Sequence, residues 1–130
     1  MHPEETTTTI IALINCNTNT KALFDTYNLG NTSIKHFENG LELIKDWTKN
    51  NLQIVAIVSQ SDVLSVNGIS LLENLERREL LNTPFCLILP REQITEYKLK
   101  LALERGVAEM FSEPLKKEAI ETRLNFLIDN

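Results

Sequence analysis

The sequence predicts a doubly wound α/β domain, a (βα)5 chain with five parallel strands in the order 2-1-3-4-5. Three observations carry this. Continuous apolar runs of strand length recur along the chain, each ended by polar residues or proline, as in strands buried on both faces. Stretches with apolar residues at helical spacing alternate with them. The connections are short, so each strand–helix–strand unit is a right-handed crossover and the helices cover both faces.

The elements follow in order. Ile10 to Ile14 is the first strand, closed by Asn15-Cys16-Asn17, and Met1 to Thr9 is a polar tail before a single domain over residues 10–130. Ala22, Leu23, Phe24 and Tyr27 form a helical stripe, with Gly30 expected as its left-handed stop. Thr32 to Phe37 is a weaker second strand. Asn39 caps the next helix with Glu42 three residues on, and Leu41, Ile44 and Trp47 are expected on its buried face. Ile54 to Val58 is a β-branched central strand, followed by a polar loop from Ser59 to Asn67 and a helix from Gly68 to about Leu80. Phe85 to Leu89 is the fourth strand, ended by Pro90. Ile94 to Arg105 is helical and stopped by Gly106; Met110-Phe111 marks the fifth strand. Pro114 is expected in the first turn of a last helix whose stripe is Ile120, Leu124, Leu127 and Ile128.

Composition narrows the function classes. The formal net charge of −5, with no Lys/Arg cluster to offset it, disfavours nucleic acid and anionic membrane. No apolar run reaches membrane-spanning length and the N-terminus lacks a signal-peptide pattern, so a cytoplasmic protein is expected. The two cysteines, Cys16 and Cys86, have neither disulfide-framework nor metal-ligand spacing. His2 and His36 stand apart from any ligand pattern, and no glycine-rich phosphate loop is present. Neither a metal nor a cofactor is expected. In this architecture function gathers at the carboxyl ends of strands one and three, which directs attention to Asn15, Cys16 and Ser59 to Asp62.

Two segments carry a resemblance. Ser59 to Leu72, with Asn67-Gly68 before an apolar run, and Gly106-Val107-Ala108-Glu109-Met110-Phe111-Ser112-Glu113-Pro114-Leu115 resemble the corresponding segments of response regulator receiver domains. The second matches that family's Gly-Ala-Asp-Asp-Tyr-x-x-Lys-Pro-Phe pattern, and the likeness extends from Ile10 to Ile128. It implies a flavodoxin-like, receiver-like fold and a place in bacterial two-component signal transduction or phosphorelay. It also implies a cis peptide bond before Pro114.

Carried across residue by residue, the family's active site is altered at every position. The paired magnesium-binding acids fall on Asn15 and Cys16, the phosphoryl acceptor on Gln60 or Ser59, the hydroxyl residue on Leu89 and the lysine on Glu113. The aromatic switch residue falls on Met110. A carboxamide and a soft thiol suit magnesium poorly, an amide has no nucleophilic oxyanion, and a glutamate repels a phosphoryl group. The resulting expectation is a non-enzymatic pseudo-receiver acting through protein–protein interaction.

Three alternatives stand beside it: an atypical receiver tuned by a ligand, by redox change at Cys16, or by phosphorylation at Asp62. A small-molecule-binding module of flavodoxin-like topology is a further class, since fold does not fix function. The expected interaction face combines the Ile94 to Arg105 helix, the fifth strand and the last helix. Its charges are Lys98, Lys100, Glu104 and Arg105 with Lys116, Lys117, Glu121 and Arg123. A signalling protein or a weakly paired second copy is the expected partner.

Overall fold

A computed structural model describes residues 9–60 and 83–129. The expected loop and helix from Ser61 to Leu80, including Asp62 and Asn67-Gly68, lie outside the described residues. The elements are β1 (Thr9–Ile14), α1 (Thr18–Phe24), β2 (Thr32–Phe37), α2 (Gly40–Asn50) and β3 (Ile54–Ser59). They continue with β4 (Phe85–Pro90), a 3-10 turn (Arg91–Gln93), α3 (Glu96–Glu104), β5 (Glu109–Glu113) and α4 (Lys117–Asp129). The five strands form one parallel sheet in the order β2-β1-β3-β4-β5, as the alternation predicts.

Strand alternation divides the core into two layers. Ala12 and Ile14 of β1, Ile54 and Ile57 of β3, and Phe85 and Leu87 of β4 pack with Leu43 and Ile44 of α2 and Ala102 of α3. Ile11 and Leu13, Ala56 and Val58, and Cys86 and Ile88 face the other way, against Phe24 of α1 and Ile120 and Leu124 of α4. A two-residue period that is apolar on both sides is what makes the central strands read as unbroken runs.

Local signals account for the ends of the helices. Asn39 Oδ1 accepts the Glu42 N–H at 2.9 Å, and Asn51 closes α2 in the left-handed region at φ 50°. Thr95 caps α3 through Lys98 N–H, and Gly106 follows it at φ 86°.

Three local expectations are corrected. Gly30 is left-handed, at φ 66°, but α1 has already ended at Phe24; the glycine instead turns the chain toward β2. Leu41 is 62% exposed, while Leu43 and Ile44 are buried and Trp47 packs against them. Spacing alone fits either residue, and the position of the sheet decides. Pro114 does not lie in the first turn of α4, which begins at Lys117; it follows β5 through a cis Glu113–Pro114 bond, the isomer that the resemblance implies.

Candidate functional site

The carboxyl ends of β1 and β3 lie side by side, with Ile14 and Ser59 in register. The chain leaves β1 through Asn15, which is exposed and left-handed at φ 54°, a conformation that asparagine tolerates better than most residues. Its N–H donates to Phe37 O at 2.9 Å, and Gln60 N–H donates to Ile14 O at 3.1 Å. These bonds prolong the sheet past the strand ends and fix where the loops begin.

Gln60 then ties three loops together. Its Oε1 accepts the Asn17 N–H at 2.7 Å and its Nε2 donates to Glu113 Oε2 at 3.0 Å. One carboxamide therefore links the β3 end to the β1–α1 loop and to the end of β5. Asn17 also caps α1, its Oδ1 accepting Thr20 N–H at 2.8 Å. The sequence marks Gln60 and Glu113 but leaves Asn17 out of the site; an asparagine five residues before the stripe that starts at Ala22, a residue type that favours helix N-caps, is the signal that finds it.

The other positions that the resemblance assigns to the pocket are placed as follows. Ser59 is fully buried, and Leu89 is buried at the carboxyl end of β4. Met110 is half-buried and packs on the α2 and α3 side of the sheet. Cys16 is buried, with its S–H directed to Ile14 O at 3.7 Å. Desolvation pushes its thiol up to about 11, against a smaller opposing effect of Lys21. A protonated, buried thiol is a poor nucleophile and a poor metal ligand, which counts against the redox alternative.

The residues present do not fit the magnesium that the resemblance implies. Asn15 offers a neutral oxygen, Cys16 a protonated sulfur, and the Gln60 oxygen already accepts a backbone N–H. Among the described residues no group of three or more His, Cys, Asp or Glu side chains is arranged to hold a metal ion.

The same burial has a consequence for stability. Desolvation raises the Cys86 thiol to about 12, helped by Glu109, and raises Tyr27 to about 12, helped by the Glu121 charge. For all three groups the unfolded chain loses its proton first as pH rises. Their stabilisation is complete below the ordinary thiol value of 9.0 and is lost as pH climbs toward the folded values. The melting temperature should therefore hold steady between about pH 7 and 8.5 and fall above about pH 9. Circular dichroism melts check this, and Cys16→Ala with Cys86→Ala should flatten the fall.

The expected interaction face divides. Arg123 of α4 pairs with Glu109 of β5 at 2.6 Å, and its guanidinium lies 4.8 Å from the Phe126 ring centroid. Glu121 turns instead to the α1–β2 connection, accepting the Asn28 N–H, while Asn125 donates to Asn28 O. Lys100, Glu104, Arg105, Lys116 and Lys117 are exposed, and Lys98 is half-buried with its N–H on Thr95. Exposed apolar residues, which the charge pattern did not flag, stand among them: Tyr97 and Leu103 on α3 are 73% and 75% exposed, and Phe126 on α4 is 53% exposed.

No helix among the described residues is long and apolar enough to cross a membrane. No protein-family model and no curated protein sequence matches the chain. Solved structures do. A response regulator from Thermotoga maritima aligns with a TM-score of 0.73 at 13% identity, over 96% of this chain and 100% of that one. The receiver domain of the Francisella response regulator 1452 aligns with a TM-score of 0.70 at 20% identity, over 93% and 96%. A pilus assembly-related protein from Burkholderia pseudomallei aligns with a TM-score of 0.72 at 13% identity, over 99% and 96%. With the strand order and the paired loops at the switch point, these likenesses give the chain the receiver-domain fold.

Proposed function

We propose that this chain is a receiver-like signalling module that does not accept a phosphoryl group and works through a constitutive protein–protein contact. The observation that carries the reading is the Gln60 bridge. At the place where the resemblance implies an acceptor carboxylate and a lysine, a carboxamide and a glutamate hold each other, and the same carboxamide holds the Asn17 backbone. An amide at Gln60 has no oxyanion to attack a phosphodonor, and a glutamate at position 113 gives the transferred group no cation, so at these two positions in-line transfer has neither nucleophile nor charge stabilisation. The loops that would respond to phosphorylation are instead joined in one arrangement.

The contact falls on α3, β5 and α4. Among the described residues β5 is an edge strand with one unpaired side, and Leu103, Tyr97 and Phe126 expose apolar surface on the flanking helices. Exposed lysines and glutamates around them supply a charged rim that tunes association more than affinity. The occupant is a partner protein, a second copy of the chain included. The receiver fold also occurs in response regulators, in a histidine kinase and in a pilus assembly-related protein, so the fold itself leaves the pathway open.

Sedimentation velocity tests both halves of the reading. Self-association should be the same with and without acetyl phosphate and magnesium, and should be lost when Leu103→Glu and Phe126→Glu are combined. Association that appears only with acetyl phosphate contradicts the phosphorylation-independent reading. A chain that stays monomeric at high concentration removes the second copy as occupant.

A further inference from the structure

Beside the Gln60 bridge, α1 and the loop after β5 enclose a groove of about 330 Å³, within the size range of small-ligand sites. Asn17, Thr20 and Leu23 form one wall, and Glu113, Pro114 and Leu115 the other. Thr20 in this lining is only 3% exposed, and Asn17 Oδ1 takes its backbone N–H.

We propose that this groove binds a small aliphatic cation, a ligand with an ammonium or guanidinium head on a short alkyl stem. Glu113 is the one formally charged side chain in the lining. Gln60 holds its Oε2 and leaves Oε1 for a charge-assisted bond to the head. The Thr20 hydroxyl accepts a further N–H from the ligand. Leu23, Pro114 and Leu115 give the stem an apolar wall. An anion is disfavoured because the carboxylate repels it, and two of the amides at the start of α1, those of Asn17 and Thr20, are already taken by Gln60 Oε1 and Asn17 Oδ1. The net charge of −5 draws cations to the protein as a whole. The inference is independent of whether the chain accepts a phosphoryl group.

The test is an amide NMR titration of the full chain with 1,4-diaminobutane, with 1,4-butanediol as the neutral counterpart, at constant ionic strength. The diamine should give saturable shifts at Asn17, Thr20 and Leu115, and the diol should give none. Glu113→Gln keeps an oxygen for the Gln60 amide and removes the charge, and should weaken binding about tenfold or more. Thr20→Val should weaken it about threefold. Unchanged β3 amides in each variant show that the fold is intact; should Glu113→Gln misfold, the diol and Thr20→Val decide. Absence of saturable shifts, an equal response to the diol, or full affinity in a folded Glu113→Gln chain overturns the proposal.

Discussion

Phe24→Ala will lower the unfolding free energy by about 3–5 kcal/mol, the range for removing a buried phenylalanine. Phe24 is fully buried at the end of α1, in the layer that holds Ile11 and Leu13 of β1 and Ala56 and Val58 of β3. Its ring lies 4.7 Å from that of Tyr27, tilted by 35°, a contact worth about 0.5–1.5 kcal/mol beyond area alone. α1 has only seven residues, far fewer than the roughly 12–15 at which an isolated helix becomes even marginal in water. It is helical because Asn17 caps it and Phe24 anchors it. The loss should therefore spread to the Asn17 end of the site. Urea unfolding measures it, and a change below about 1 kcal/mol would mean that the layer closes around the gap.

Gln60→Ala should cost about 1–3 kcal/mol, because it removes a bond to a backbone N–H and a charge-assisted bond to a carboxylate, both partly open to water. Gln60→Glu should be as harmful, since it brings a second carboxylate against Glu113. Combining Gln60→Glu with Glu113→Lys replaces the amide–carboxylate pair by an ion pair and should recover much of the loss. Urea unfolding of the three variants forms a closed comparison. If Gln60→Ala changes neither stability nor the amide shifts of Asn17 and Glu113, the bridge does not join the loops in solution.

The strands were the most legible part of the chain. β1, β3 and β4 are apolar on both faces, so their sequences read as unbroken runs, and the caps at Asn39 and Gly106 are chemical signals confined to a few residues. The buried face of α2 was less legible, because Leu41 and Leu43 both fit a helical stripe with Ile44 and Trp47. Only the place of the sheet selects Leu43. Glu121 and Arg123 were grouped by charge, yet two residues along a helix are about 200° apart, and they point to opposite seams. The positions of the implied pocket could be listed by resemblance. The bridge that fills it could not, because Gln60 joins residues 43 and 53 positions away, and a single sequence carries no record of such a meeting.

An amide NMR titration with magnesium and beryllofluoride, a mimic of a bound phosphoryl group, tests the central proposal most directly. With Gln60 and Glu113 holding each other, the amides of Asn15, Cys16, Asn17, Gln60 and Glu113 should stay in place through millimolar additions, and Met110 and α3 should not respond. Saturable shifts across those pocket residues, carried on to Met110 and α3, would contradict it and make the chain a phosphorylation-responsive receiver.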